Sequence, residues 1–265
     1  MPVDVQRLVA DVLSSKKYAS MDEALVRRVC ADLSTRYDKH SDALRATKTA
    51  LHRMHQAFLR GDGAQRAHHL IRERGSHNLS TDRAFARQLL ALHASTAERL
   101  PTIEPACAFL GAFIGFTDRV VDIGSGFAPF ALPFYPHLPA AYLACEISAP
   151  IVSLLNAYFA ALDKPAFTAI SLDAAVTTPP PADVALLLKL LPLLEQQRKG
   201  RARDLLKTLP AQRIVVSFPV TTLSGKSKGM EAFYSTFLES NLPDYLTITA
   251  RQRIGNELFY ALSAQ

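Results

Sequence analysis

The chain has 265 residues, 49% hydrophobic and 20% charged, which supplies enough apolar side chain for one large or two modest cores and excludes a disordered polymer. Its net charge of +6 and pI near 9.3 permit a polyanionic partner without requiring one. Three cysteines, at positions 30, 107 and 145, have neither paired nor metal-ligand spacing, which argues for free thiols in a reducing, cytoplasmic setting and against a metal site.

No signal-peptide core opens the chain. From Val5 to about Leu100 apolar residues recur at helical spacing, as at Val5, Leu8, Val9, Val12 and Leu13 and again at Ala24, Leu25, Val29 and Leu33. Ser20 before Asp22 and Glu23, and Ser80 before Thr81 and Asp82, predict helix starts, so this region is expected to be all helical. Between Arg45 and Gly75 stand seven Arg or Lys, at 45, 48, 53, 60, 66, 72 and 74, against Asp62 and Glu73. That density fits a phosphate-facing surface, with Arg60, Arg66 and Arg72 as RNA contacts, as well as it fits a solvated helix face. His52, His55, His68 and His69 share the window without a cysteine or carboxylate framework and are expected at the surface or in the core, not on a metal. Leu92 to Leu100 is polar enough to be a helix junction, with Ser95 or Thr96 as a cap and Glu98 and Arg99 solvated. Pro101 and Pro105 then predict the join to a second domain.

After Phe116 the period changes. Strands are expected at 119–123, 141–146, 167–172, 183–188, 213–218, 245–250 and 257–262, with helices between the first six. The turn at Gly255-Asn256 can only close an antiparallel hairpin at the sheet edge, which predicts an α/β fold with a Rossmann-like seven-stranded sheet. The greasiest run, Val184 to Leu194, is broken by Lys189 and Pro192 and is too short to span a bilayer.

The pivot of the second half is Val120-Val121-Asp122-Ile123-Gly124-Ser125-Gly126-Phe127-Ala128-Pro129, a buried strand running into a glycine turn. Glu146 ends the next strand 24 residues after Asp122, where an acid that grips a ribose belongs. Pro129 stands where a dinucleotide fold prefers a third glycine, which favours S-adenosylmethionine over NAD. That cofactor needs a backbone cradle, met by Gly124 and Gly126. It needs a ribose acid, met by Glu146, an adenine-side polar group, met by Asp173, and a cation for its carboxylate. Lys189 is either a phosphate or base contact or an edge residue snorkelling to solvent. Strand four ends Leu187-Leu188-Lys189-Leu190-Leu191-Pro192 in place of the Asn- or Asp-Pro-Pro-aromatic run of exocyclic-amine methylases, and no cysteine sits in a Pro-Cys loop. An acceptor with its own lone pair, such as a ring nitrogen, is therefore expected, with alignment and no general base.

Four stretches in order resemble the aminoglycoside-resistance 16S ribosomal RNA methyltransferases of the Arm/Rmt type: Leu92 to Leu100, Leu187 to Gln197, Val216 to Pro219 and Gly225 to Glu231. Ser15 to Tyr18 and the hairpin from Ile254 to Leu258 fit the same pattern, so the resemblance spans nearly the whole chain. It implies transfer of a methyl group from S-adenosylmethionine to N7 of guanine 1405 in the assembled 30S subunit, with aminoglycoside resistance as the outcome. Residue by residue it implies that His93, Ala94 and Ser95 contact the cofactor, that Arg99 holds its carboxylate, that Gly124 and Gly126 form the loop and that Glu146 takes the ribose. Asp173 and Ala174 become the adenine-side pair, Leu188 and Gln197 the contacts after strand four, and Phe58 an aromatic contact from the helical region. Lys226 and Lys228 join the RNA-facing set. The sequence departs from the family at Ala128, where Asn is usual, and at Ser224 to Gly229, where the resistance enzymes read Gly-Gly-Arg-Gly-Lys-Gly.

The expected organisation is a helical rRNA-docking domain over 1–105 and a methyltransferase domain over 106–265, acting as a monomer. Three other readings are a homologue acting on another rRNA base, a small-molecule methyltransferase with a helical lid, and a non-catalytic RNA-binding module. The basic window argues against the lid, and the intact Gly124, Gly126, Glu146 and Asp173 argue against loss of catalysis.

Overall fold

The computed structural model describes residues 3–19, 21–55, 62–76, 78–220 and 229–265. By compactness the chain divides into Met1–Arg60 and Gly61–Gln265. The first unit holds α1 (Val5–Leu13), α2 (Glu23–Ser34) and α3 (His40–His55). Asp4 caps α1 by accepting from the amides of Gln6 and Arg7, and Asp22 caps α2 by accepting from Leu25. One apolar stripe from each helix is buried, Leu8, Val9 and Val12 on α1, Val26, Val29 and Cys30 on α2, and Ala43 and Leu51 on α3, and the three helices pack on one another.

The second unit opens with α4 (Gly63–Arg74), α5 (Arg83–Leu90, capped by Asp82), α6 (Ala94–Arg99), a short 3-10 turn at Leu100–Thr102 and α7 (Ile103–Gly111). α5 and α7 pack on the segment after the first strand and α4 packs on the helix after the second, so these helices belong with the sheet. The join expected at Pro101 and Pro105 lies inside this unit. Both prolines occupy first-turn positions, where no amide hydrogen is needed, and so mark helix starts, not a domain boundary.

The sheet comprises β1 (Arg119–Ile123), β2 (Ala141–Glu146), β3 (Phe167–Ser171), β4 (Ala182–Leu188), β5 (Ala211–Pro219), β6 (Leu246–Ile254) and β7 (Glu257–Ala264) in the order β3-β2-β1-β4-β5-β7-β6. β1 to β5 pair in parallel, and β7 runs antiparallel to both β5 and β6. All seven strands fall where the sequence places them, within a few residues. The helices between them do not all appear. A 3-10 helix, Ala128–Phe134, follows β1, because Pro133 cannot donate and the segment buries Phe127, Phe130 and Phe134 instead of propagating. Between β3 and β4 there is no helix, since Pro179-Pro180-Pro181 forbids one in a ten-residue crossover. α8 (Ala149–Ala161), α9 (Leu191–Gln197), α10 (Arg201–Thr208) and α11 (Met230–Asn241) complete the unit. Among the described residues no helix is long and apolar enough to cross a membrane.

Phe218 of β5 fixes α11 to the sheet. It is fully buried, stacked on Tyr234 at 5.0 Å and edge-on to Phe237 and Tyr260. Phe218→Ala is expected to cost about 3–5 kcal/mol through lost burial and a residual cavity. Urea titration checks this, and an unchanged midpoint would mean that α11 is held by other contacts.

Candidate active site

Ligands of open α/β sheets bind beyond the carboxyl ends of the parallel strands, where β1, β2, β3 and β4 here deliver Gly124, Glu146, Asp173 and Lys189. Gly124 and Gly126 have φ of 66° and 50°. A Cβ on Gly124 would meet Leu190 at 2.9 Å, and one on Gly126 would press on the His93 ring at 3.3 Å, so both positions need glycine for conformation and for space. The loop's amides are already engaged: Gly124 and Ser125 donate to the Cys145 carbonyl at 2.8 and 3.2 Å, and Gly126 donates to Glu146 Oε2 at 2.9 Å. The cradle therefore offers close approach more than free donors. Ala128 closes the turn through its own amide, which donates to the Ser125 carbonyl at 2.9 Å, so the loop forms without the asparagine usual there.

Glu146 is buried, with Oε1 accepting from the Ser148 amide at 3.0 Å. Burial pushes its carboxyl up, against the pull of the Gly126, Ser148 and Ile147 amides. Beneath it lies Asp122, 1% exposed, whose Oδ2 accepts from Tyr142 at 2.7 Å while Oδ1 has no hydrogen-bond partner. Burial raises Asp122 to about 7, with Tyr142 and Arg99 pulling the other way. The hydroxyls of Ser125 and Ser148 are likewise buried without hydrogen-bond partners. Orphaned oxygens around a glycine cradle fit a ligand rich in hydroxyl and ammonium donors.

His93 sits at the start of α6, stacked on Phe127 at 5.0 Å. Burial, with Lys189 and Arg99 nearby, holds its imidazole down to about 4, so it is neutral in this site. Thr96 does not cap α6 from outside. It lies within the helix, its hydroxyl donating to the Leu90 and His93 carbonyls at 2.6 and 3.1 Å. Arg99 is buried, not solvated, and pairs bidentately with Glu257 at the start of β7, Nε at 2.9 Å and Nη2 at 2.6 Å. Burial opposes the charge on Glu257, but Arg99, Lys189 and the Ser217 hydroxyl outweigh it and hold the carboxyl below its usual range.

Lys189 is turned inward. Its Nζ lies 3.1 Å from Glu98, 3.3 Å from the Ser95 carbonyl and 3.8 Å from Glu257, so the side chain does not snorkel to solvent. Its left-handed backbone, φ 59°, is held by two bonds from its amide, to the Ser217 carbonyl and hydroxyl. The sequence reading missed Asp122, Ser148, Ser217 and Glu257 as members of this cluster. Asp122 and Ser148 were legible from their strand-end and helix-cap positions, whereas Glu257 pairs with Arg99 across 158 residues and carries no local signal.

Asp173 begins the turn after β3 and accepts from the Ala175 amide at 3.0 Å, with Ala174 half-buried beside it. Leu188 ends β4, half-buried, and Gln197 at the end of α9 accepts from Arg201 at 3.2 Å. Ala94 and Ser95 form the first turn of α6. Arg66 and Arg72 are exposed on α4. Within the first unit an open cavity of about 490 Å³ is lined by Lys17, Tyr18, Arg45, Lys48 and His52. Phe58, Arg60, Lys226 and Lys228, and the expected helix start at Ser20, lie outside the described residues.

A mixed sheet of this order, with a glycine loop after β1 and an acid after β2, defines a Rossmann-like methyltransferase. The chain belongs to the ribosomal RNA methyltransferase (FmrO) family, whose profile matches residues 14–261. A 16S rRNA (guanine(1405)-N(7))-methyltransferase of Serratia marcescens is 31% identical to it, covering 98% of each chain. Another, of Micromonospora echinospora, is 31% identical over 95% of this chain and 93% of the relative. Among solved structures, the 16S rRNA methyltransferase RmtF in complex with S-adenosyl-L-homocysteine superposes with a TM-score of 0.88 at 34% identity, and RmtB with 0.82 at 28%, each covering 100% of both chains.

The buried pair yields a stability prediction. Arg99→Met alone strands Glu257 and is expected to cost about 3–5 kcal/mol, whereas adding Glu257→Leu recovers most of it, because the pair's desolvation cost then also vanishes. Urea midpoints of both variants decide, and an unaffected single variant would show the pair to be dispensable. A second prediction concerns pH. Below about 6.5 the unfolded chain takes up a proton that native His93 refuses until about 4, so this residue makes stability fall with falling pH in that window. Native Asp122 takes a proton below about 7 that the unfolded chain takes only near 3.8, so it makes stability rise with falling pH. His93→Gln should therefore reduce the loss of stability toward acid, and Asp122→Asn should increase it, each by up to about 1.4 kcal/mol per pH unit. Parallel slopes for parent and variants would refute these assignments.

Proposed function

We propose that this protein transfers a methyl group from S-adenosylmethionine to N7 of guanine 1405 of 16S rRNA within the 30S subunit, conferring aminoglycoside resistance, and that it does so as a cytoplasmic monomer. The observation that carries the reading is the crevice itself, in which a glycine cradle, Glu146 and the Arg99–Lys189 cations converge with no activated nucleophile beside them among the described residues. The full-length likeness to guanine-1405 N7 methyltransferases supports the acceptor.

When bound, S-adenosylmethionine supplies a sulfonium methyl group. Arg99, with Lys189 beside it, would hold the methionyl carboxylate, Asp122 Oδ1 would accept from the ammonium, Glu146 would take the ribose hydroxyls, and Asp173 with Ala174 would border the adenine. Ala94, Ser95, Leu188 and Gln197 complete the walls. His93, neutral and stacked on Phe127, seals the loop side without adding positive charge against a sulfonium. Guanine N7 has an in-plane lone pair and no proton to lose, so the protein's task is alignment and water exclusion, and the base must leave its stack to be reached. Burial pushes the Cys107 and Cys145 thiols up to about 12 and Cys30 to about 11, which removes a thiolate route to ring carbons.

RNA docking is assigned to Arg60, Arg66 and Arg72, to the cavity between Lys17 and Lys48, and to Lys226 and Lys228. If these neutralise phosphates, affinity for 30S falls steeply with salt.

Tritiated S-adenosylmethionine offered with 30S subunits and with naked 16S RNA should label the 30S alone, and borohydride with aniline should cleave at one guanine. Recovery of N1-methyladenosine or a ribose-methylated nucleoside would overturn the N7 assignment. The Arg99→Met/Glu257→Leu variant, though folded, should bind S-adenosylhomocysteine more weakly in calorimetry; unchanged affinity would remove Arg99 from the cofactor site. Arg66→Glu with Arg72→Glu should weaken 30S binding and spare cofactor affinity, and intact 30S binding would leave that face merely solvated.

A further inference from the structure

The carboxyl end of β6 carries charge that the cofactor site does not use. β6 and β5 are each antiparallel to β7, so β6 runs with the parallel strands, and Arg251 and Arg253 lie toward the same end of the sheet as Gly124, Glu146 and Lys189. Two residues apart on a strand, they share a face. Both reach Glu231 in the first turn of α11, Arg251 through Nη2 and Arg253 through Nη1 at 3.2 Å. Arg251 is braced by Tyr260, with Nε 3.2 Å from the hydroxyl and the guanidinium over the ring. Arg253 Nε donates to the Gly255 carbonyl at 3.3 Å in the turn that leads to Glu257.

One carboxylate thus serves two guanidiniums, and their side chains remain 48% and 51% exposed. Exposed ion pairs of this kind contribute little to stability. Charge on an outer strand also deters edge-to-edge pairing, but scattered lysines would do that equally well. What edge protection does not require is the convergence of two arginine forks on one anion, with one bracing bond behind each. That geometry suits the oxygens of a phosphate, and it sits at the end of the sheet from which a bulky acceptor must enter.

We propose that Arg251 and Arg253 clamp a phosphate of the rRNA strand at the rim of the crevice, with Glu231 holding the two guanidiniums together until the phosphate displaces it. The proposal rests on the rRNA reading above and adds a contact on the catalytic unit itself.

The test measures 30S affinity across a salt series for the parent, Arg253→Glu, Arg251→Ala/Arg253→Ala and Glu231→Gln, with S-adenosylhomocysteine calorimetry as the check on the fold. Both arginine variants should bind cofactor as the parent does, lose about tenfold or more in 30S affinity, and show a salt slope lower by about one. Their methylation of 30S should suffer in KM before kcat. Glu231→Gln, with the competing charge removed, should bind 30S more tightly. Unchanged affinity and slope in Arg253→Glu would overturn the clamp and leave the arginines as an edge shield, and weaker binding by Glu231→Gln would overturn the displacement. If the double variant lost cofactor binding through misfolding, the exposed Arg253→Glu decides alone. A parent that fails to label 30S sinks the rRNA reading, whereas a parent that labels it beside unaffected variants sinks only the clamp.

Discussion

A fully buried guanidinium is tolerable only when its charge is met, and the pairing of Arg99 with Glu257 meets it. The partners come from α6 and from the first residue of β7, so the helix that borders the cofactor crevice is tied to the antiparallel end of the sheet. The tie propagates. Ser217 of β5 donates to the same carboxylate and also accepts, through its hydroxyl, from the amide of Lys189. Lys189 in turn reaches back to Ser95 and Glu98 on α6. A left-handed backbone at a non-glycine residue costs of order 1–3 kcal/mol, and at Lys189 the two amide bonds to Ser217 offset it. The floor of the crevice is thus set by a closed polar circuit across α6, β4, β5 and β7, and none of these elements can shift alone.

The same circuit sets the electrostatics. Burial holds His93 neutral, with Lys189 and Arg99 pressing it further down, and lifts Asp122 to about 7 against Tyr142 and Arg99, while loop amides engage the oxygens of Glu146. Such a site is good at fixing a polar ligand, and its one carboxyl lifted to about 7, Asp122, is 1% exposed and already accepts from Tyr142. That combination suits alkylation of a ring nitrogen, where nothing must be deprotonated, and it suits poorly an exocyclic amine or a ring carbon.

How much of this the sequence discloses depends on how far each feature reaches along the chain. Strands such as Val120 to Ile123 are buried on both faces, and a short β-branched run bounded by glycine is legible without tertiary knowledge. The strand-end rule likewise locates Gly124, Glu146 and Asp173. The crossover before β4 misleads because strand alternation implies a helix there, while Pro179 to Pro181 vetoes it. Pro101 and Pro105 mislead in the opposite sense, since a proline at a helix start and a proline at a linker look alike in one dimension. Arg99 and Lys189 are hardest. Each reads as an ordinary charge until its partner is known, and the Glu257 that meets both lies far along the chain.

The departure at Ala128 shows why such a site tolerates divergence. An asparagine in the glycine loop would supply a side-chain amide, but here the turn closes through the backbone amide of Ala128 on Ser125, and the loop is pinned to β2 through Cys145 and Glu146. Its shape therefore depends on Gly124, Gly126 and the end of β2, all present, and not on the residue before Pro129. Interactions made by backbone survive substitution, and those made by a single side chain do not. By that criterion the replaceable part of this crevice is its loop decoration, and the part that changes only in concert is the circuit of Arg99, Glu257, Ser217 and Lys189, where one side chain cannot be altered without leaving its partner's charge or hydrogen bond unmet.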